Sequence, residues 1–227
     1  RKVNDPHLTR RTLLAAIASA TASATTACAA SRVTSARTDP TPAGSATARS
    51  GSTGDEAALR RKIASLLVVG FRGERVTEDD WIVRAVREGL GGVILFDRDL
   101  ETESARNIRS PEQVTALVKT LRDASPGRLI VSIDQEGGST SRLNPANGFP
   151  ATRSEAEIGA ENSPAVTREW ARGLVASLTR IGANLNYAPV VDLNINPESR
   201  AIGALDRSFS ADPDVVVANA GEEIRAH

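Results

Sequence analysis

The chain is poor in the residues that build several common kinds of functional site. It has one cysteine, so no disulfide can form within it. Its two histidines, His7 and His227, stand near opposite ends, which argues against a metal centre of clustered histidine and cysteine. Aromatic residues make up only 3% of the sequence, which disfavours a stacking platform for single-stranded nucleic acid.

The chain also lacks an excess of either charge. Its 28 basic and 28 acidic residues give a formal net charge of zero. A balanced charge gives no reason to expect nucleic acid or an anionic surface as the partner. We therefore expect no nucleic-acid partner.

The first 28 residues have the layout of an export signal. The pair Arg10-Arg11 precedes an uncharged, alanine-rich stretch over 13–27, which is too weakly apolar for a membrane span. The paired arginines are typical of the twin-arginine route. The small residues before Cys28 resemble a lipoprotein box, although Thr25 stands where leucine or valine is usual. We interpret 1–28 as an export signal with Cys28 as a candidate lipidation site; the alternative is an Ala/Thr-rich tail with a chance arginine pair.

Residues 29–54 are almost wholly serine, threonine, alanine, glycine, arginine and proline. Such a segment cannot bury enough apolar surface to offset its ordering entropy. The composition predicts a disordered linker over 29–54, which would act as a tether to a membrane if Cys28 is lipidated.

From residue 55 onward, apolar runs alternate with helical patterns. The runs predict buried strands over 67–71, 93–96, 129–133 and 184–187. Helices are predicted over 55–66, from a Thr77 cap to about 90, from Pro111, over 164–181, and from Pro213 onward, with a long loop before Ser163. Four strand–helix units imply parallel strands, either in a doubly wound sheet or in half of a (β/α)8 barrel.

The third predicted strand carries the most informative motif. It ends in Asp134 and Glu136, and a Gly137-Gly138 break and Arg142 follow. A buried strand that ends in acids places them at the carboxyl edge of the sheet, where α/β folds bind their ligands. Gly-Gly at this point favours a tight turn.

Four stretches in register suggest a family: 62–71, 91–96, 133–138 with Arg142, and 186–192 with Arg207-Ser208-Phe209. From about residue 61 the sequence resembles the N-terminal (β/α)8 domain of glycoside hydrolase family 3, and in particular the bacterial β-N-acetylhexosaminidases. The resemblance implies a TIM barrel of which residues 55–227 form about the first four β/α units.

The resemblance also implies roles for individual residues. The acid matching Asp134 and the arginines matching Arg142 and Arg207 bind hydroxyls of the sugar at the non-reducing end. A carboxylate accepts from vicinal hydroxyls, and a guanidinium donates in fixed geometry. Asp134 could instead cap its loop, and Asp192 could either shape the pocket or cap a loop. Glu136 is predicted to hold the loop.

The family's chemistry is retaining hydrolysis through an aspartate nucleophile and a separate acid/base. It implies a carbohydrate partner, and no metal or organic cofactor. The family's Lys-His-Phe-Pro-Gly-His segment, its acid/base loop and its nucleophile find no match in this sequence. No catalytic residue is therefore assigned here, and these residues alone are expected to be inactive. A family 3 β-glucosidase and a non-catalytic sugar-binding lipoprotein remain alternatives.

Two positions depart from the family pattern. Ser139 and Thr140 follow the glycine pair where arginine and valine are frequent, and Ala204-Leu205 look like additional residues before Arg207. Both departures fall next to predicted sugar-binding residues.

Overall fold

The computed structural model describes residues 53–227. The predicted export signal, Cys28 and nearly all of the predicted linker lie outside this range and remain predictions. Within the range, no helix combines the length and the apolarity that crossing a membrane requires.

Four short parallel strands form one sheet. They are β1 (Val68–Gly70), β2 (Gly92–Ile94), β3 (Ile130–Ile133) and β4 (Leu185–Asn186). The pairing aligns Val69 with Val93, Val93 with Val131, and Ser132 with Leu185. β1, β3 and β4 lie inside predicted apolar runs, whereas β2 begins at Gly92, one residue before its predicted run of 93–96; each strand is shorter than its run.

In the described part of the chain, six helices accompany the strands. They are α1 (Thr53–Ala64), α2 (Trp81–Arg87), α3 (Pro111–Ala124), α4 (Glu155–Glu161), α5 (Pro164–Ile181) and α6 (Pro213–Ala226). Three single 3₁₀ turns lie in the loops, at Gly138–Thr140, Pro145–Asn147 and Gly203–Leu205. Serine and aspartate caps followed by proline fix two helix starts as predicted, at Ser110 and Asp212.

The strand order decides between the two predicted architectures. The strands neighbour one another in chain order, β1-β2-β3-β4, without the reversal that marks a doubly wound sheet. A parallel sheet with sequential order and intervening helices is the pattern of a (β/α)8 barrel. The predicted truncated barrel is confirmed.

The core lies between the sheet and the helices that follow its strands. Val93, Leu95, Val131 and Ile133 are fully buried. Against them pack apolar residues of α3 at helical spacing, namely Val114, Leu117, Val118 and Leu121. Gly92 allows the close approach of the strands, because a Cβ there would lie 2.7 Å from the Cβ of Ile130. This core fixes the strand ends that carry the polar residues.

The start of α2 differs from the prediction. Thr77 does not cap the helix; Asp80 occupies the cap position, and Asp79 lies outside the first turn. The Asp80 carboxylate accepts from the Thr77 backbone N–H at 2.6 Å and from its hydroxyl at 3.0 Å. The acceptor in this turn is therefore the carboxylate of Asp80 and not the hydroxyl of Thr77, because a carboxylate accepts more strongly than a hydroxyl.

Helix α4 falls where a continuous loop is predicted. Its start is a capping box: Ser154 accepts from the Glu157 N–H at 3.2 Å, and the Glu157 carboxylate accepts from the Ser154 N–H at 2.8 Å. The helix ends at Asn162 in the left-handed conformation. It lies between the β3 loop and α5.

Candidate functional site

Asp134 follows the last residue of β3 and pairs with Arg142. Nη2 of Arg142 lies 3.2 Å from Oδ2 of Asp134, and the two side chains are 27% and 23% exposed. Within residues 53–227 no backbone N–H donates to the Asp134 carboxylate, so the loop-capping alternative finds no support there. The pair is open to solvent at the carboxyl edge of the sheet.

The loop between these two residues is fixed by buried polar contacts. The side chain of Gln135, fully buried, accepts from the Leu143 N–H at 2.8 Å and donates to the Leu143 carbonyl at 3.1 Å. Asn147 donates to the Arg142 carbonyl at 2.8 Å. Gly137 has φ +93°, and a Cβ there would lie 2.3 Å from the Arg153 carbonyl oxygen. Arg142 is therefore presented by a rigid loop.

Arg207 lies beside the same loop and is held by Glu136. Its Nε and Nη2 donate to the two Glu136 oxygens at 2.6 and 2.8 Å, and its Nη1 donates to the Ala201 carbonyl at 2.8 Å. The hydrogen bonds with Glu136 raise the pKa of Arg207 above its usual range, and the charge of Asp134 adds to the effect. The Glu136 carboxylate thus ties the loop after β3 to the segment that carries Arg207.

The two departures from the family pattern contact each other. The hydroxyl of Ser139 donates to the carbonyl of Leu205 at 2.9 Å. Leu205 ends the 3₁₀ turn Gly203–Leu205, after which Asp206 adopts a positive φ of 55° and the chain returns to Arg207. The additional residues form a compact turn, so they do not displace Arg207 from Glu136.

Asp192 and Asp97 occupy less constrained positions. The backbone carbonyl of Asp192 accepts from the Ser208 hydroxyl at 2.6 Å, while its side chain is exposed. Asp97, beyond the end of β2, accepts from the Asn144 side chain at 3.1 Å. Neither carboxylate joins the pair of Asp134 and Arg142, and a sugar-binding role for Asp192 remains a prediction.

Sequence reasoning did not identify two buried glutamates behind the site. Glu155 is 1% exposed and accepts from the Val190 N–H at 2.9 Å, and Glu223 is fully buried with both oxygens unpartnered. Burial raises the pKa of Glu155 to about 9 and that of Glu223 to about 8, and repulsion from Glu136 adds to both. At neutral pH both are therefore protonated. No local pattern distinguishes them from surface glutamates.

His227 lies close to the end of β4. Its Nε2 lies 3.0 Å from the side-chain amide nitrogen of Asn186, and its Nδ1 lies 3.0 Å from the backbone carbonyl oxygen of Glu223. The side chain of Asn186 in turn accepts from the backbone N–H of Gln135 and donates to its carbonyl, both at 3.0 Å. In the described part of the chain, no three side chains of histidine, cysteine, aspartate or glutamate are arranged to hold a metal ion.

We next compared the sequence with known protein families. Residues 58–227 match the model of the glycosyl hydrolase family 3 N-terminal domain. The chain belongs to this family. The predicted family membership is confirmed, and the carboxyl edge that carries Asp134 lies inside the matched region.

Individual relatives point in the same direction. A β-hexosaminidase of Xanthomonas euvesicatoria pv. vesicatoria is 34% identical over 159 residues, which cover 66% of this chain and 42% of that protein. The glycoside hydrolase family 3 β-N-acetylglucosaminidase of Paenibacillus sp. superposes with a TM-score of 0.65 at 29% identity, covering 74% of this chain and 30% of that one. A β-N-acetylhexosaminidase of Beutenbergia cavernae superposes with a TM-score of 0.62 at 26% identity. The match covers 74% of this chain and 49% of that one. The chain thus spans less than half the length of these relatives.

Proposed function

We propose that this chain, completed by the rest of the barrel, is a retaining β-N-acetylhexosaminidase that removes terminal β-linked N-acetylglucosamine. The observation that carries the proposal is the solvent-open pair of Asp134 and Arg142 beside Arg207, at the edge where barrel enzymes bind substrate. The names of the relatives support the choice of sugar.

The described residues would bind and orient the terminal sugar. Asp134 accepts one hydrogen bond, from Arg142, and a carboxylate has several further acceptor positions for vicinal hydroxyls. Arg142 and Arg207 donate from fixed directions, because the loop and Glu136 hold them. The nucleophile that forms the glycosyl-enzyme and the acid that protonates the leaving oxygen would come from the remainder of the barrel.

We further propose that the enzyme acts outside the cytoplasmic membrane. The Arg10-Arg11 pair supports twin-arginine export, and the small residues before Cys28 support a lipid anchor. An extracytoplasmic hexosaminidase would meet peptidoglycan fragments as substrate. Replacing Cys28 with serine should then release the protein from membranes to the soluble fraction, whereas export without lipidation predicts no change.

The activity is tested with two chromogenic substrates in parallel on the complete enzyme. Release of nitrophenol from the β-N-acetylglucosaminide but not from the β-glucoside is the expected result. Release from the β-glucoside alone would move the protein to the glucosidase branch of the family. Release from neither would favour a sugar-binding protein without catalysis. Residues 55–227 alone should release nothing.

A further inference from the structure

The ring of Phe96 lies at the carboxyl edge of the sheet, beside the pair of Asp134 and Arg142. Phe96 follows the end of β2 by two residues and is partly exposed, whereas the preceding Leu95 is fully buried. The guanidinium carbon of Arg142 lies over the face of this ring, 5.8 Å from its centre. At this distance the positive guanidinium is attracted to the negative face of the ring.

The guanidinium of Arg142 has few other partners. Its Nη2 donates to Asp134 at 3.2 Å, its Nε is buried without a hydrogen-bond partner, and its Nη1 forms no hydrogen bond within residues 53–227. The rigid loop fixes the backbone of Arg142, but several rotatable bonds separate this backbone from the guanidinium. One long hydrogen bond does not fix all of them, so the ring of Phe96 supplies a second contact that sets the direction of the guanidinium.

Phe96 is itself held in place. Its backbone N–H donates to Oδ1 of Asn107 at 3.1 Å, and its carbonyl accepts from the Asn107 N–H at 2.9 Å. Asn107 is fully buried. The guanidinium carbon of Arg106 lies 4.9 Å from the centre of the same ring, which restricts the motion of the ring further. The ring therefore offers Arg142 a surface that is in place before a ligand binds.

We propose that Phe96 is a positioning residue for sugar binding, which holds the guanidinium of Arg142 so that its Nη1 can donate to a hydroxyl of the terminal sugar. The inference rests on the proposed function, which assigns this sugar to Asp134 and Arg142. The proposal gives Phe96 no contact with the reacting atoms. The ring should therefore affect the binding of substrate and not its conversion.

Fluorination of the ring tests this on the complete enzyme, because fluorine withdraws electrons from the ring face and changes the size of the side chain little. Trifluorophenylalanine in place of Phe96 should raise KM for the nitrophenyl N-acetylglucosaminide roughly three- to tenfold, and monofluorophenylalanine should raise it less. The value of kcat should stay unchanged. Phe96→Tyr, which keeps an electron-rich ring, should keep KM near that of the wild type.

The ring of Phe149 provides a matched control, because it makes the same kind of contact elsewhere. The guanidinium carbon of Arg180 lies 5.9 Å from the centre of the Phe149 ring, and Arg180 pairs with Glu112. Trifluorophenylalanine in place of Phe149 should leave KM unchanged. An equal rise of KM in both fluorinated enzymes would show that fluorination acts through the general stability of the protein, and would overturn the proposal.

A ring that touched the sugar directly would also respond to fluorine, and a double-mutant cycle with Arg142→Gln separates the two roles. If Phe96 acts through Arg142, trifluorophenylalanine should lower kcat/KM no further in the Arg142→Gln background. A full additional loss in that background would show direct contact with the sugar and would overturn the proposal. An unchanged KM when Arg142 is present, or a fall in kcat alone, would overturn it as well.

Nuclear magnetic resonance separates this inference from the proposed function, because it requires no catalysis. In the complete enzyme with labelled arginine, the ring current of Phe96 should shift the Hδ and Nε–H signals of Arg142 upfield, and Arg142→Gln identifies these signals. Trifluorophenylalanine in place of Phe96 should move them towards their ordinary positions, because the guanidinium leaves the ring. If the nitrophenyl substrate is not cleaved, the proposed function fails, whereas this shift still supports the contact. Ordinary positions in the wild type, or the same positions in both proteins, would overturn it.

Discussion

Two carboxylates that stand one residue apart at the end of β3 have different surroundings. Asp134 makes a single contact of 3.2 Å with Arg142, and both side chains are about a quarter exposed. Glu136 makes two shorter contacts with Arg207 and is 6% exposed. The difference shows that one loop can supply both an open acceptor for ligand and a structural brace, because only Glu136 meets a second segment, that of Arg207, which buries it.

The largest effect on activity is expected at the solvent-exposed pair of Asp134 and Arg142. Asp134→Asn should lower kcat/KM of the complete enzyme roughly 100-fold, because two charge-assisted hydrogen bonds to the sugar weaken. The melting temperature should stay close to that of the wild type, since no backbone group in residues 53–227 depends on this carboxylate. Asp123→Asn on the outer face of α3 is the control. A large drop in melting temperature with full activity would assign Asp134 to the structure instead.

Glu136→Gln should lower stability as well as activity. Removing the charge leaves Arg207 without its buried partner, and the free energy of unfolding should fall by about 2 kcal/mol. Chemical denaturation measures this loss. Activity should fall as well, through a higher KM, because Arg207 is no longer held in place. An unchanged stability would contradict the role of Glu136 as the brace.

The buried glutamates behind Glu136 predict a pH dependence of stability. The folded protein keeps a proton on Glu155 up to about pH 9, whereas the unfolded chain releases it near its ordinary pKa of 4.5. The unfolded state therefore binds fewer protons between these values, and the free energy of unfolding falls as pH rises from about 5 to 9. Melting temperatures over this range should decline.

Glu155→Gln mimics the protonated acid and should flatten that dependence, stabilising the protein at pH 8 by about 1 kcal/mol or more. Glu169→Gln, an exposed glutamate of α5, should leave the pH profile unchanged. A wild-type profile that rises from pH 5 to 8 would show that Glu155 is ionised in the folded state.

The smallest effect is expected where the two family departures meet. Ser139→Ala removes one partly solvated hydrogen bond to Leu205 and should cost about 0.5 kcal/mol of stability. KM should rise less than with Glu136→Gln, because Glu136 still holds Arg207. Ser139→Thr, which keeps the hydroxyl, serves as the control. A loss as large as that of Glu136→Gln would mean that the turn, and not the carboxylate, positions Arg207.

Much of the fold could be predicted because its signals are local. The β-branched run before Asp134 predicts β3, and the Ser110-Pro111 pair predicts the start of α3, where Ser110 accepts from the Gln113 N–H at 3.2 Å. The strands are shorter than their apolar runs because pairing depends on the neighbouring strand as well as on sequence. Asp134 could be placed at the sheet edge by the same local reasoning.

The missed features depend on contacts distant in sequence. Helix α4 has few apolar residues, although its Ser154–Glu157 capping box is a usable signal. Glu155 is buried and accepts from the N–H of Val190, which lies 35 residues away in sequence. Buried Asn107 ties the segment after β1 to the segment after β2 through the backbone of Phe71, Gly73 and Phe96, and no single motif predicts this contact.

Two guanidinium groups share the ring of Phe96: the guanidinium carbons of Arg106 and Arg142 lie 4.9 and 5.8 Å from its centre. Arg106 Nε also donates to the carbonyl of Phe71 at 2.8 Å, so the ring connects Arg142 with the segment after β1. The direction in which Arg142 points is therefore set in part by a segment that is distant from it in sequence.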